Sequence, residues 1–574
     1  MIIDKVIVKD FRNFRSASIS LARSTLIIGA NNSGKTNLIY ALRILLDKTL
    51  SDSEIEPDES DFHIPQNGEA STKLSITVYF SDIQEDAVLS SLKGHISDNA
   101  KCVLRYTAYR EDLSYTLELG ENVKSLQEIQ SRYYLKYINL RYVKSQRDLE
   151  KYINSEKRQL LKLSSENRDE EEVGDDQKQM ERIGRSLEVL NERVRRLNYV
   201  KGATDSINEE LQKLAHDFSG YSVQLDSGAI QVQQFIDNLK LGASTSGSKV
   251  MLGGDGRNNQ ILMALWKAKS QREHDPDSEV VFYCVEEPEA HLHPHQQRKL
   301  ADYLINDLPG QTFITTHSPQ VTARYKPDSI LHIKSEGGES RAASGGCGPC
   351  ISVAWDELGY RMSILPAEAF FAKSVLLVEG PSELLFYSEL AKHLNIDLDY
   401  YNISLLAVDG IQFKVYIKIL DAMEIPWTMR TDNDVSHITK NSIKKKNLAG
   451  INRCLRAAKL APMTHAPIDT TIQSLLDDGT WDKVSTSVNP AGIFLSRKDL
   501  EHDLAEELPI EIVKHARVKA KKPTMSTSDA IAYLQSKKAV RMRQFLKDYS
   551  ESLGTLRKGN LAKPLLHCVK AVEG

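Results

Sequence analysis

The chain opens on short apolar runs of strand length. KVIVKDF and STLIIG read as strands, the second running into GANNSGKT (Gly29 to Thr36), and Asn37 to Leu50 is predicted to be a helix. KLSITVYF and CVLRYTAY are further strands, so the first block extends over residues 1–144. Residues 145–240 change character and become rich in Glu, Lys, Arg, Gln and Leu. Met180, Ile183, Leu187, Leu190, Val194 and Leu197 follow 3-4-3-4-3 spacing, an a/d seam. The seam lasts under three heptads and contains Gly184, so a helical hairpin is expected, with its turn near Asp169 to Glu172 and Gly174. Its seam suits packing on itself or on a sister copy. VVFYCVEEPE and QTFITTHSP are buried strands that return to the first block over 241–345. SEGGESRAASGGCGPC, Ser335 to Cys350, reads as a linker. In 346–574, SVLLVEG, ISLLAVDG and PWTMRTDND are strands ending in polar residues, with helices such as PSELLFYSELAKHL between them. That is an α/β pattern with ligands at strand C-termini.

A chain of 574 residues at 41% hydrophobic content supports three to four domains with ordinary cores. Its net charge of -4 excludes a global basic footprint, so any nucleic-acid surface is local. Lys444 to Lys446, and Arg517, Lys519, Lys521 and Lys522, are such local clusters. Each alone reads as solvated surface; proximity to an acidic set raises the DNA reading. Six scattered cysteines fit a reducing compartment, and the single CxxC at Cys347 and Cys350 lacks the partners of a structural zinc site. The N-terminus has no signal-type apolar region, and no apolar run is long enough for a membrane span, so a cytoplasmic location is expected.

The spacing G-x4-GKT at a strand-to-helix turn suits phosphates cradled by backbone N–H groups. Gly29, Asn32 and Gly34 shape the loop, Lys35 reaches the β- and γ-phosphates of ATP, and Thr36 holds Mg²⁺. Glu286 and Glu287 follow a hydrophobic strand, as metal coordination and water activation require. Glu286 stands where an Asp is usual, and Glu287 would polarise the water. His317 in TTHSP would sense the γ-phosphate, although a lone strand-end His is more often structural. GGDGRNNQILMAL opens an apolar helix with glycine and polar residues, an anion-binding start; its loose resemblance to the signature element of ABC-type ATPases implies Gly254 and Arg257 as candidates for the nucleotide of an opposing subunit.

Glu379, Asp432 and Asp434 end two predicted strands. Converging carboxylates of this kind bind hard cations such as Mg²⁺ or Mn²⁺. Glu383 lies one helical turn after Glu379, and LEHDL adds Glu501 and Asp503. That set is large enough for two metals about 3.5–4 Å apart.

With KVIVKDFRNF, GANNSGKT, EEPEAHLHP, THSP, LLVEGPSE, TDND and LEHDL in this order, nearly the whole chain resembles the OLD (overcoming lysogenization defect) family. RTDNDV with GINRCLR, FLSRKDLEHDL and YLQSKKAV are similar to its class 2 branch, the nuclease subunits of Gabija anti-phage systems. The resemblance implies an ABC-type ATPase domain with a helical dimerisation insertion, then a Toprim α/β domain with a parallel sheet. It implies Toprim metal ligands at Glu379, Asp432 and Asp434, assisted by Glu383, Glu501 and Asp503. A catalytic lysine near the C-terminus is also implied: Lys538 matches best, with Lys537 adjacent. The expected activity is ATP-regulated, metal-dependent cleavage of double-stranded DNA by a homodimer or homotetramer, with a superfamily 1 DNA helicase as partner subunit. The competing reading is an SMC-like ATPase clamp that binds DNA without cutting it. Topoisomerase work would need a DNA-gate tyrosine domain, and primase work a zinc ribbon.

Overall fold

The computed structural model describes residues 1–66, 68–144, 149–214, 232, 236, 239, 242–245, 248–251, 261, 264–265, 268, 279–290, 292–308, 310–346, 367–408, 413–440 and 443–573. Two compact units emerge: 1–144 with 277–288 and 294–574, and 145–276 with 289–293.

The first unit begins with an antiparallel six-stranded sheet. Its strands, in spatial order, are Phe14–Ser20, Ile2–Phe11, Lys73–Ser81, Cys102–Tyr109, Tyr115–Gly120 and Gln127–Ile129. A second sheet runs Glu339–Ala342, Ile330–Glu336, Ser24–Ile28, Thr312–Thr315, Val280–Glu286 and Ile138–Val143. All its pairings are parallel except the terminal hairpin. The helix Lys35–Leu46 follows the loop strand Ser24–Ile28, and its Leu38, Leu42 and Leu45 are buried in one core with Val6, Val78 and Phe282. The glycine-rich stretch expected as a linker is structured as far as Gly346. Ser335 pairs with Ser340 and Glu336 with Glu339 around Gly337 and Gly338, because two glycines at positive φ close a tight hairpin. Cys347 and Cys350 lie outside the described residues.

A parallel four-stranded sheet follows, ordered Ile403–Ala407, Ser374–Val378, Trp427–Thr431 and Ile493–Leu495. The last strand is only three residues long, too short to show as a periodic pattern. The C-terminal helices share its core: Leu376, Phe386 and Leu390 pack with Leu504, Met542 and Phe545. Each such side chain contributes about 1.5–3 kcal/mol by burial, far more than surface ion pairs of about 0–1 kcal/mol. The C-terminal helices are thus part of this domain and bring their polar residues to its sheet edge.

In the second unit, helices span Leu149–Glu166, Glu170–Arg195 and Asn198–Leu214. The turn falls before Asp169, which caps the second helix through a capping box with Glu172. Gly174 and Gly184 both lie inside that helix, so neither marks the turn. Of the seam, Leu187 is buried, whereas Leu190 and Leu197 are exposed. Among the described residues no helix is long and apolar enough to cross a membrane.

Candidate functional site

The nucleotide loop is built where parallel strands end together. Gly34 caps the helix and Lys35 begins it. Lys35 is buried, and its Nζ donates to the carbonyls of Gly29 at 2.9 Å and Ala30 at 2.8 Å. Burial lowers its pKa, against the fields of Glu287 and Glu286. Asn32 takes a left-handed φ of 62°, and Thr36 is exposed at the first helical turn. Gly29 is required by close approach: a Cβ there would meet the Ile333 carbonyl oxygen at 2.3 Å, at a φ of 152°.

Register brings the acids to this loop. Glu286 pairs with Thr315, which pairs with Ile27 just before the loop. Tyr142 donates to Glu286 Oε2 at 2.7 Å, while Oε1 is buried without a partner. Glu287 holds a left-handed φ of 44°, its N–H donating to the Thr315 carbonyl at 3.0 Å. Positive φ is uncommon for a residue with a side chain. His317 Nε2 stands 3.6 Å from Glu287 Oε1. Desolvation lowers its pKa, aided by Lys35 and opposed by Glu287. Lys35, Glu286, Glu287 and His317 therefore share one sheet edge. Gly254 and Arg257 lie outside the described residues.

The second constellation sits at the C-terminal edge of the four-stranded sheet. Glu379 follows Ser374–Val378, and Asp432 follows Trp427–Thr431. Glu379 Oε1 accepts from Thr431 Oγ1 at 2.5 Å, from the Asp432 N–H at 2.8 Å and from Arg453 Nη1 at 2.5 Å. Arg453 Nη2 donates to Asp434 Oδ2 at 3.0 Å, leaving Asp434 half-exposed. Arg453 comes from the helix Ala449–Ala457. That helix touches the acidic loop because residue 450 is glycine: a Cβ would meet the Asp432 carbonyl oxygen at 2.2 Å.

Asp432 and Glu501 are buried, each with one carboxylate oxygen lacking a partner. Desolvation, then the charge of Glu379, pushes Asp432 up to about 8. Burial also raises Glu383, and burial with the Asp499 charge raises Glu501. Asp503 is placed differently. Both its oxygens are engaged, one by Arg430 Nη2 at 2.6 Å and the other by the Arg497 N–H at 3.1 Å. Lys538 starts the helix Lys538–Tyr549, and Lys537 caps it. Partial burial would lower the Lys538 pKa, but the fields of Glu501, Asp432, Glu383 and Asp499 outweigh it and the net shift is upward.

Among the described residues no three His, Cys, Asp or Glu side chains are drawn together tightly enough to hold a cation as they stand. Glu379 and Asp434 are held by Arg453 instead, and Asp503 by Arg430. The donor set still fits a hard divalent ion: all-oxygen, at strand ends, with two buried oxygens unpartnered. Arg453, Arg430 and Asp499 are additions that sequence spacing missed. Asp499 alone carried a signal, a helix-capping position before LEHDL, and it accepts from the His502 N–H and from Gln535 at 2.8 Å.

The sequence matches the family described as AAA ATPase domain over residues 1–118 and 107–322. Residues 370–434 match the TOPRIM domain of overcoming lysogenization defect protein-like sequences. Endonuclease GajA of Bacillus cereus (strain VD045) is 24% identical over 95% of this chain and 95% of its own length. The OLD nuclease of Thermus scotoductus (strain ATCC 700910 / SA-01) is 24% identical over 75% of this chain and 81% of its own. Among solved structures, the SMC head bound to the C-winged helix domain of ScpA aligns with 60% of this chain and 97% of its own, at 19% identity and a TM-score of 0.38.

Proposed function

This chain belongs to the OLD family, in which an AAA ATPase domain is joined to an OLD-like Toprim domain, and from that premise we propose that it is a metal-dependent endonuclease of double-stranded DNA whose cutting is gated by ATP. The observation that carries the reading is the strand-end carboxylate set with Lys538 in its field. Glu379, Asp432 and Asp434 would hold Mg²⁺ or Mn²⁺, with Glu383 and Glu501 behind them. Such an ion supplies Lewis-acid stabilisation of the phosphodiester and a water of lowered pKa. Lys538 contributes a fixed positive charge where a phosphate oxygen gains charge during cleavage. The Arg430–Asp503 pair ties the helix Leu500–Glu507 to the strand Trp427–Thr431.

Gating is supported by contiguity between the two sites. The strand Ile330–Glu336 backs onto Gly29 of the nucleotide loop. From that strand His332 bonds the Met423 carbonyl at 2.9 Å and Lys334 the Glu424 carbonyl at 2.8 Å. Arg341 pairs with the Glu424 carboxylate at 2.5 Å, which also accepts from the Ser344 N–H at 2.8 Å. Met423 and Glu424 follow the helix Phe413–Ala422, whose Phe413 lies 5.7 Å from the Arg453 guanidinium. A cavity of about 590 Å³ lined by Gly29, His317, Lys334 and Pro426 gives this junction room to change. The test of coupling is kinetic.

A second copy of the chain would complete the nucleotide site, and the motif likeness to Gabija subunits points to anti-phage defence with a helicase partner. Supercoiled plasmid incubated with purified protein, with and without Mg²⁺, Mn²⁺ and ATP, tests the reading. Metal-dependent nicking or linearisation is expected; DNA binding with no cleavage under any metal would favour the clamp.

A further inference from the structure

The strand that ends at Thr431 passes through Asp432 and Asp434 into a two-stranded antiparallel ribbon, Val435–Lys440 and Ile443–Leu448. Among the described residues the ribbon forms a sheet of its own, and a bridge between Lys446 and Ala466 braces its second strand. It returns directly into the helix that carries Arg453. Both feet of the ribbon therefore stand on the carboxylate site.

Residues 435–452 contain four lysines and a histidine and no Asp or Glu, in a chain of net charge -4. Register pairs His437 with Lys446 and Thr439 with Lys444. Cross-strand partners and alternate residues share a face, so these four donor-bearing side chains line one side. His437, Thr439 and Lys444 are exposed, and Lys446 Nζ stands 2.9 Å from His437 Nε2. Among the described residues Lys444, Lys445 and Lys446 pair with no carboxylate. Three consecutive lysines with no carboxylate partner among the described residues repel one another, which points to an anionic partner. At about 3.4 Å per residue the Thr439–Lys444 pair lies about 17 Å along the ribbon from Asp434, roughly half a turn of duplex DNA. A two-stranded ribbon also fits the major groove, which is about 12 Å wide.

We propose that the ribbon of Val435–Lys440 and Ile443–Leu448 anchors duplex DNA beside the cutting site, with Lys444, Lys446, His437 and Thr439 on backbone phosphates. This rests on the nuclease reading and adds where the duplex lies. Point-charge lysines contact phosphates without reading bases, so the anchor is indifferent to sequence and seats the scissile bond over Asp432 and Asp434.

The test is fluorescence anisotropy of a labelled duplex with the full chain in EDTA, across a salt titration, for wild type, Lys444→Glu/Lys446→Glu and Lys444→Gln/Lys446→Gln. The expected result is at least about a tenfold loss of affinity and a salt slope shallower by about 1.8, because two phosphate-neutralising charges are removed. In cleavage assays KM should rise much more than kcat falls. Lys521→Glu/Lys522→Glu serves as the comparison on the other basic cluster. A folded Gln variant with wild-type slope, or the slope change appearing only in the Lys521/Lys522 variant, overturns the proposal. Wild type that neither binds nor cuts duplex DNA overturns the nuclease reading itself.

Discussion

Arg453 donates to Glu379 Oε1 at 2.5 Å and, with its other terminal nitrogen, to Asp434 Oδ2 at 3.0 Å. Three donors saturate Glu379 Oε1, so Oε2 is the oxygen left to face a cation. The guanidinium is itself pinned, over Phe413 and on a helix anchored by Gly450. Arg453 is thus a positioning residue for both carboxylates. Partners of this kind typically change metal affinity by about 10–100-fold. Arg453→Ala should weaken Mn²⁺ binding by that order, read by calorimetric titration of the full chain. Arg453→Lys should recover little, because an ammonium cannot span two carboxylates as a planar fork does. Tighter Mn²⁺ binding in Arg453→Ala would mean that the guanidinium competes with the ion instead.

Glu379→Ala or Asp434→Ala should abolish plasmid nicking and leave ATP binding intact. Each removes an oxygen from the proposed cation, and neither belongs to the nucleotide loop. A loss of the order of 10³-fold or more is expected for a group acting on the transition state. Wild-type cleavage rates in both variants would remove the Toprim site from the mechanism.

Much of this architecture was legible in the sequence for a physical reason. Buried parallel strands are continuous apolar runs, and the residue after each run sits at the sheet edge. Glu379, Asp432, Glu286 and His317 could be found that way. Arg453 could not: it reaches the site from a helix 19 residues after Asp434, through a contact that depends on Gly450 having no side chain. Asp503 has a partner that spacing could not show: its position in LEHDL suits a ligand, and strand Trp427–Thr431 turns Arg430 inward onto its carboxylate. The hairpin at Ser335 to Ala342 was hidden because glycines that mark linkers also make tight turns.

Asp432 makes the metal-free protein sensitive to pH. Its folded pKa, about 8, lies above the ordinary 3.8 because of burial and the Glu379 charge. Below about pH 4 the carboxyl is protonated in both folded and unfolded chains, so the favourable contribution is fully present. As pH rises toward about 8 only the folded state keeps the proton, and stability falls across that window. Asp432→Asn should therefore be more stable than wild type at pH 8 by on the order of a few kcal/mol, with the gap closing toward about pH 4. Urea-unfolding midpoints in EDTA at several pH values give the comparison. Parallel profiles for the two proteins would show that Asp432 does not hold the proton.

Lys538 should act on the transition state more than on binding. It lies in the field of Glu501, Asp432, Glu383 and Asp499, which raises its pKa and keeps it charged. Lys538→Ala should cut kcat by about 10²–10³-fold, the scale of losing one preorganised charge partner, with little change in DNA affinity. Single-turnover cleavage with pre-bound DNA separates the two effects. If Lys537→Ala is the inactive variant and Lys538→Ala cuts normally, the charge comes from the helix cap instead.

Gating requires that ATP bind two conformations with different affinity. Lys35 Nζ donates to the loop carbonyls of Gly29 and Ala30, and Gly29 lies against Ile333 of the strand Ile330–Glu336, so a phosphate that recruits the ammonium would loosen the loop beside that strand. The next contact outward is Glu424, held by Arg341 and Ser344, and the helix before it bears the Phe413 that supports Arg453. ATP, more than ADP, should therefore change the cleavage rate, and inhibition is expected because an ungated nuclease would cut its host's chromosome. A coupling of about 1–3 kcal/mol corresponds to a 5–150-fold response. Lys35→Ala should lose the response yet keep basal cutting, since Glu379, Asp432 and Asp434 remain. Glu424→Ala should keep both ATP binding and basal cutting while blunting the response. The measurement is a cleavage time course across an ATP titration with free Mg²⁺ held constant, because ATP chelates it. An equal response in wild type and Lys35→Ala would assign the effect to chelation or a second site. A full response in Glu424→Ala, with Lys35→Ala silent, would keep the gating and reject this route for it.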